Sequence, residues 1–347
     1  MHRIDPGQGK SAWDSLNLCG ERESPMVSRR SLMLLGGAAA VAAIAGAGGV
    51  GLSYGGALTA AKRRVSSGSS TIDTRFGRVE YAEAGEGRPI LMIHGTGGGF
   101  DQGLDFCRPL LDAGYRIISP SRFGYLRSDF PDDPSSENQA DALVELLDHL
   151  GIEKLAIAGG SAGALPALAM AIRHPERCNA LLALVPASYV PGRPATPGPT
   201  GFSASAMTTV LRSDFLFWLA LKAAPDMMIG TMLATDPAVV QAAPVAEQQR
   251  VREILWNILP VSERSRGIIN DARLASNPAP MPIETITVPT LAISVEDDRF
   301  GTCEAARYIA ATVPGAKLVT YPTGGHIWAG HDAELFSEVD RFLKALA

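Results

Sequence analysis

Cysteine is scarce in this sequence of 347 residues, and the few cysteines are scattered. Cys19, Cys107, Cys178 and Cys303 form no CxxC pair and no cluster with histidine. A disulfide-stabilised scaffold needs paired cysteines, and a structural zinc site needs closely spaced Cys or His ligands. The spacing argues against both, and no metal ion or organic cofactor is implied. We expect Cys107 and Cys178 to be buried as small apolar residues.

An excess of basic residues is also lacking. Lys and Arg number 31 against 36 Asp and Glu, which gives a net charge of −5. Affinity for a phosphate backbone depends on a basic face, so nucleic acid is not an expected partner. Charged residues make up only 19% of the chain and hydrophobic residues 46%. That balance allows a large core and excludes a disordered chain.

Charge is absent altogether from residues 32–61, a run made mostly of Ala and Gly with basic residues on both flanks. The segment SRRSLML at residues 28–34 resembles a twin-arginine export signal, in which paired Arg precedes a weakly apolar stretch. A run of this length also suffices as a membrane anchor, because about 20 apolar residues span a bilayer. Both alternatives place the protein in the cell envelope and not in the cytoplasm. Whether the segment is cleaved stays open.

The residues before this run are polar and unpatterned. Met26 opens a compact basic segment, so our hypothesis is that translation begins there and not at Met1. Residues 65–70 are rich in Ser and Gly, which predicts a short flexible linker. The predicted domains are therefore residues 1–65, which hold the export signal or membrane anchor with its linker, and residues 66–347, which form one α/β domain.

Strand-like and helical segments alternate through this second domain. The later strands are nearly continuous apolar runs, typical of parallel strands covered on both faces. Repeated βα units predict an α/β fold with a doubly wound, mostly parallel eight-stranded sheet. About a hundred residues separate Val185 from Thr290, which predicts a helical cap at about 190–285, inserted after the sixth strand. The predicted strands are residues 71–75, 78–84, 89–94, 116–119, 155–158, 181–185, 290–295 and 317–321.

The segment GGSAG at residues 159–163 follows a predicted strand and opens a predicted helix. In this context a G-x-S-x-G motif exposes a nucleophilic serine. The serine takes a strained turn, so the residues two before and two after it must be small. The turn also places the serine Oγ at a helix N-terminus, where the dipole favours negative charge. Ser161 is the predicted nucleophile, and the alternative is an ordinary serine cap of the helix.

These features resemble the α/β-hydrolase family, over roughly residues 71–347. A second motif, HGTGGG at residues 94–99, follows the third predicted strand. In the family such a turn supplies one backbone N–H of the oxyanion hole, and the residue after the nucleophile supplies the other. Carried over, these are Thr96 and Ala162, while His94 is expected to be structural. The alternative is a phosphate-binding loop, but the Lys and Ser/Thr of a Walker A loop are missing.

An acyl-transfer serine needs a histidine base and a carboxylate that orients it. The family's chain order is serine, acid, histidine. Of six histidines, only His326 and His331 follow the seventh strand. His326 is the predicted base, and His331 is expected to cap the next helix. The predicted acid is Asp298, with Asp297 as the alternative because Val295 replaces the family's glycine.

The resemblance implies a serine hydrolase, with carboxylesterase as the main expectation and an acyl-enzyme as the intermediate. Apolar residues at helical spacing in the predicted cap, such as Met207, Phe215 and Trp218, favour a small to medium apolar ester-type substrate. In the family the same triad also serves C–C bond hydrolases, lactonases and cofactor-free haloperoxidase-like enzymes, which are the alternatives. A non-catalytic binding protein on this fold is the remaining hypothesis. The sequence does not indicate the oligomeric state.

Overall fold

The computed structural model of the protein describes residues 49–194 and 201–346. The predicted start at Met26, the paired arginines and residues 32–48 of the charge-free run lie outside the described residues. Among the residues described, no single helix is both long and apolar enough to cross a bilayer. The neighbouring helices Asp214–Ala223 and Pro225–Met232, bent by 114°, meet the length and composition criteria only as a pair.

The predicted eight-stranded sheet is present. Its strands are β1 (Ser70–Thr74), β2 (Gly77–Ala84), β3 (Arg88–Ile93), β4 (Tyr115–Pro120), β5 (Leu155–Gly160), β6 (Cys178–Leu184), β7 (Thr290–Val295) and β8 (Lys317–Tyr321). The strand order is β1-β2-β4-β3-β5-β6-β7-β8. β1 and β2 form an antiparallel hairpin and β2 pairs antiparallel with β4, whereas the other pairs are parallel. The chain reverses its winding direction between β3 and β5, so their carboxyl ends lie side by side, where such sheets carry their sites.

Helices lie between the strands and before the first one. A helix over residues 49–65 precedes β1 and is named α1. The others are α2 (Phe100–Phe106), α3 (Arg108–Asp112), α4 (Ser136–His149), α5 (Ala164–Arg173), α6 (Gly201–Leu211), α7 (Asp214–Ala223), α8 (Pro225–Met232), α9 (Pro237–Ala242), α10 (Val245–Trp256), α11 (Ser265–Ser276), α12 (Thr302–Thr312) and α13 (Asp332–Lys344).

The sheet is covered on both faces. Successive residues of a strand point to opposite faces, so Leu91 and Ile157 pack with α4, α5 and α12. Met92 and Ala158 pack on the other face with α3 and α13. Burial on both faces explains why the inner strands read as continuous apolar runs.

The predicted cap is present as the helices α6 to α11, inserted between β6 and β7. Its apolar side chains, among them Phe217, Trp218 and Leu255, form a cluster with Ala61 of α1 and with Ile327. Not all of the large apolar side chains of the cap are buried. Four are 40–57% exposed: Met207, Phe215, Leu219 and Met227.

The compact unit begins at Tyr54 and not at residue 66. Ala61 and Val65 of α1 are only 2% and 3% exposed, because they pack within the hydrolase unit. The Tyr54 ring meets the Phe215 ring of α7 edge-on at 5.2 Å. α1 ends at residue 65 and β1 begins at Ser70, so the predicted linker is a short turn between two ordered elements.

Candidate active site

Ser161 lies in a strained turn between β5 and α5. Its φ is 51°, a value that costs energy for a residue with a Cβ. A Cβ on Gly163 would lie 2.3 Å from the carbonyl oxygen of Ile93, so only glycine fits there. The carbonyl of Ser161 accepts a hydrogen bond from the N–H of Ala187 at 3.0 Å. The sequence folds this way because small residues flank the serine, and the turn presents its Oγ above the sheet.

His326 is brought to this serine from the loop after β8. Its Nε2 lies 2.8 Å from the Oγ of Ser161, and its Nδ1 lies 2.8 Å from Oδ2 of Asp298. With the ring proton on Nδ1, the imidazole donates to the carboxylate and accepts from the serine hydroxyl. The His326 side chain is 9% exposed and that of Asp298 is fully buried, so little water competes for these bonds. The structure thus brings the three predicted residues into one hydrogen-bonded relay.

Asp298 is held as a carboxylate by its surroundings. Its Oδ1 accepts from the N–H of Phe300 at 2.9 Å, and its Oδ2 also accepts from the hydroxyl of Thr302. Burial alone would raise the pKa of Asp298, but the His326 ring and the donated hydrogen bonds outweigh it and lower the pKa below its ordinary value. A charged carboxylate is therefore in place to stabilise a protonated imidazole.

Asp297, the alternative acid, has a different set of partners. Its carboxylate accepts from the backbone N–H of Gly325 at 2.7 Å and of Gly324 at 3.3 Å. These glycines directly precede His326. Asp297 therefore fixes the loop that carries the histidine, and Asp298 contacts the ring.

Thr235 is a residue of this site that the sequence did not reveal. It lies in the cap, between α8 and α9, and is fully buried. Its Oγ1 accepts from the backbone N–H of His326 at 3.0 Å and donates to the carbonyl of Leu233 at 2.7 Å. The cap thus helps to hold the histidine. The segment LATDPA around Thr235 has no motif that marks such a contact.

The loop of residues 94–99 passes beside Ser161. A Cβ on Gly95 would lie 3.1 Å from the Cβ of Ser161. Within the described residues, the N–H of Thr96 has no hydrogen-bond partner. Ala162 stands at the first turn after β5, where N–H groups lack partners inside the helix. Both amides that the sequence predicts for an oxyanion hole are therefore close to the serine.

His94 is buried behind this loop and bonded at both ring nitrogens. Its Nδ1 donates to the carbonyl of Gly95 at 2.7 Å, and its Nε2 accepts from the N–H of Arg122 at 3.0 Å. Burial, together with the nearby charges of Arg122 and Arg264, holds the pKa of His94 well below its usual value. The ring stays neutral and acts as a fixed bridge between two loops.

A buried ion pair joins the cap to the loop after β4, which contains Arg122. Arg122 Nη1 donates to Oδ1 of Asp271 in α11 at 2.8 Å, and both residues are almost fully buried. The Tyr125 hydroxyl donates to Asp271 and accepts from the N–H of Gly97 at 3.3 Å. Burial and the charge of Asp271 raise the pKa of Tyr125 well above its usual value, so the phenol keeps its proton. The partner of Arg122 in the cap could not be predicted from the sequence, because Asp271 is remote from it in the chain.

The remaining candidates lie outside the relay. His331 is the N-cap residue of α13, as expected, and its carbonyl accepts from the N–H of Leu335 at 2.8 Å, but its side chain makes no capping hydrogen bond. Its ring stacks on Tyr321 at 4.4 Å, and its Nδ1 lies 3.1 Å from the Glu334 carboxylate. Cys107 and Cys178 are fully buried as expected, and burial raises the pKa of Cys178 to about 12. Among the residues described, no group of three or more His, Cys, Asp or Glu side chains is placed to hold a metal ion.

Comparisons with known proteins agree with this architecture. Residues 88–329 match the family described as the alpha/beta hydrolase fold. The chain is 28% identical over 267 residues to a 2-hydroxy-6-oxononadienedioate/2-hydroxy-6-oxononatrienedioate hydrolase of Comamonas testosteroni, over 73% of this chain and 85% of that protein. It is 27% identical over 267 residues to a 2-hydroxy-6-oxo-6-phenylhexa-2,4-dienoate hydrolase of Burkholderia cepacia, again over 73% and 85%.

The similarity is also present at the level of the three-dimensional structure. The alpha/beta hydrolase fold protein from Nakamurella multipartita superposes with a TM-score of 0.63 at 25% identity, over 80% of this chain and 100% of that one. The family match itself spans well over half of the sequence. The chain therefore belongs to the α/β-hydrolase family.

Proposed function

We propose that the protein is a serine hydrolase in which Ser161 is the nucleophile, His326 the base and Asp298 the group that orients the base. The observation that carries this proposal is the relay of two 2.8 Å hydrogen bonds from the Ser161 hydroxyl through His326 to Asp298. Each member has the chemistry that its position requires.

The reaction follows from this geometry. His326 takes the hydroxyl proton as Ser161 Oγ attacks a carbonyl carbon, and Asp298 stabilises the imidazolium. The N–H groups of Thr96 and Ala162 donate to the oxygen that becomes negative, which is the largest single contribution in such sites. The leaving group takes the proton from His326, and water then hydrolyses the acyl-enzyme with His326 as base again.

For the bond that is cleaved, we propose first the C–C bond of a 2-hydroxy-6-oxo-dienoate type of acid. The two named relatives are hydrolases of such compounds. Attack of Ser161 on the 6-oxo carbonyl breaks the bond to the neighbouring chain carbon. That carbon leaves with the electron pair and takes up the proton from His326, and water releases the acyl part as a carboxylic acid.

A carboxylic ester is the second candidate, favoured by the charges around the site. The buried guanidinium groups near the oxyanion loop, those of Arg122 and Arg264, are already paired with Asp271 and Asp101. A dienoic acid needs a cation for its carboxylate, whereas a neutral ester does not. The apolar ring of Phe300, edge-on to His326 at 4.8 Å, also suits an uncharged acyl group.

The test compares wild type, Ser161→Ala and the control Ser337→Ala, whose serine is exposed on α13. Substrates are p-nitrophenyl esters of increasing chain length and 2-hydroxy-6-oxo-6-phenylhexa-2,4-dienoate, and fluorophosphonate labelling reports the nucleophile. We expect Ser161→Ala to lose labelling and roughly 10³-fold or more in activity. A folded Ser161→Ala variant that keeps a tenth of the activity would contradict the proposal. The substrate class with the higher kcat/KM identifies the bond.

We also propose that the enzyme works in the cell envelope. The support is the paired arginine before the charge-free run of residues 32–61. The run serves either as an export signal or as a retained anchor that holds the enzyme at the membrane.

A further inference from the structure

The helix α1, which precedes the sheet, directs a basic side chain into the hydrolase unit. Arg64 lies in its last turn, and its side chain is only 27% exposed, whereas the neighbouring Lys62 and Arg63 are exposed. The sequence presents these three as one basic flank of an apolar run. In the structure, Lys62 and Arg63 face solvent, whereas Arg64 is half-buried against the hydrolase unit.

Arg64 binds the end of a cap helix. Its Nη2 donates to the carbonyl of Asn257 at 2.8 Å and also to the carbonyl of Leu259. Asn257 is the C-cap of α10. The last carbonyls of a helix have no partner within it and carry partial negative charge, so a guanidinium there is doubly favourable.

The segment held in this way touches the oxyanion loop. Ile258 lies between the two bonded carbonyls and is 2% exposed. Its Cγ1 would lie 3.4 Å from a Cβ on Gly97, so its side chain packs directly against that glycine. A shift of the Asn257–Leu259 segment would therefore displace the loop that contains Thr96.

A second route leads from Arg64 to the same loop through charge. Its Nε donates to Oδ2 of Asp101 at 3.3 Å, and the same oxygen accepts from Nη2 of Arg264 at 2.7 Å. Arg264 is fully buried and also donates to the carbonyl of Gly98. A Cβ on Gly99 would lie 2.8 Å from Nη1 of Arg264, so the backbone of the loop packs directly against the guanidinium of the Arg264–Asp101 ion pair.

We propose that Arg64 is a positioning residue for the oxyanion loop, and that α1 is for this reason part of the active-site architecture. Arg64 touches no reacting atom. It braces Asn257–Leu259 and Asp101, which hold the loop at Gly97 and Gly98. The proposal rests on the proposed function, because a fixed Thr96 amide matters only if an oxyanion forms there. Misplacement of a catalytic group by about 1 Å can cost 100-fold in rate.

The experiment uses the full chain with Arg64→Met, which keeps the apolar stem, and Arg64→Lys, which keeps the charge. Arg63→Met is the matched neighbour control, because that side chain is exposed. Leu146→Ala, in the buried face of α4, is a control that lowers stability away from the loop. The readouts are kcat and KM on the best substrate, and amide hydrogen exchange of peptides covering residues 94–101.

We expect Arg64→Met to lower kcat roughly tenfold or more with KM changed less than twofold, and to speed exchange in the 94–101 peptides. Arg64→Lys should recover only part of kcat, since one ammonium cannot serve two carbonyls and a carboxylate in this geometry. Arg63→Met should match wild type. Leu146→Ala should lower Tm without changing exchange in these peptides.

Two results would overturn the proposal: a kcat for Arg64→Met within twofold of wild type, or a loss of kcat without faster exchange in the loop. A wild type inactive on every substrate would instead refute the proposed function. The exchange measurement then still decides whether Arg64 holds the loop, since it needs no substrate.

Discussion

Asp297 and Asp298 are neighbours in the chain but face different partners. Their side chains leave the backbone in different directions, so one carboxylate meets the His326 ring and the other meets the backbone of the loop before it. One oxygen of Asp298 accepts the Nδ1 proton and thereby fixes which ring nitrogen faces Ser161. Asp297 affects only how firmly the loop is held.

Amide substitutions separate the two roles. Asp298→Asn should lower kcat/KM by roughly 10³- to 10⁴-fold, because an amide can hold the imidazole in the wrong tautomer and cannot stabilise its protonated form. Asp297→Asn keeps one acceptor oxygen for the loop and should cost less than about tenfold. Steady-state kinetics of both variants on one substrate measure the difference. A larger loss for Asp297→Asn would assign the acid role to that residue instead.

The residues of the site differ in how far the sequence could reveal them. Ser161 and His326 could be predicted, because each follows a strand in a short motif whose shape is set locally. The choice between Asp297 and Asp298 depends on one backbone turn, so the sequence left an alternative. Thr235 and Asp271 could not be predicted, since their partners are remote in sequence and meet them only after the cap has folded.

The carboxylate of Asp141 joins α4 to α5 and to the β1–β2 turn. It lies on α4 and accepts hydrogen bonds from Arg173 Nη2 of α5 at 2.8 Å, from His174 Nε2 at 2.8 Å and from Arg75 Nη2 of the β1–β2 turn at 2.8 Å. Burial alone would raise the pKa of Asp141, but the bonds from Arg173 and His174 outweigh it and lower the pKa below its ordinary value. The carboxylate is thus more stable in the folded protein than in the unfolded chain.

This lowered pKa predicts the pH dependence of stability. Because the folded value lies below the unfolded one, the contribution is complete above about pH 4 and is lost as the pH falls through the folded value. Asp141→Asn should lower the free energy of unfolding by about 1–2 kcal/mol at pH 7, and the gap to wild type should narrow below about pH 4.

Urea denaturation of wild type and variant at pH 7, 4 and 3 measures this gap. Asp148→Asn is the control on the same helix: it pairs with Arg177, but its side chain is 63% exposed. Its effect should stay within about 0.5 kcal/mol. A gap for Asp141→Asn that widens on acidification would contradict the expected sign.

Some helices and strands could be predicted from sequence patterns, and others could not. The inner strands could be placed within a few residues, because apolar runs between helices have few other interpretations. Strands β7 and β8 match their predicted bounds. The packing of α1 could not be predicted, because its charge-free part, residues 49–61, has the same composition whether it lies in lipid or against a cap. The contacts of Arg64 with the cap become visible only in the structure, because its partners are remote in sequence.

For the whole molecule, we propose that the N-terminal segment determines where the hydrolase works. A twin-arginine route would carry the domain across the membrane already folded, which suits a sheet that pairs distant strands. If SRRSLML is read in this way, Arg29→Lys with Arg30→Lys should retain active enzyme in the cytoplasm, although the charge is unchanged. If the segment is inserted as a plain anchor, the location of the enzyme should not change with these substitutions, because the count of basic residues stays the same.

Cell fractionation followed by an activity assay of each fraction measures this outcome for both versions. The Ser161→Ala variant provides the background of each fraction. An unchanged distribution would remove the export hypothesis and leave, as the alternative, a membrane anchor in the part of the charge-free run before Tyr54.

The cap joins the sheet after β6 and before β7, so recombination could exchange it as one segment among related enzymes. Two of its contacts restrict that exchange: Thr235 to the backbone of His326, and Asp271 to Arg122. A chimaera that keeps both should retain the relay while the other cap side chains change the substrate range. Donor caps for engineering new substrate ranges into this chain can therefore be chosen by these two positions before any activity is screened.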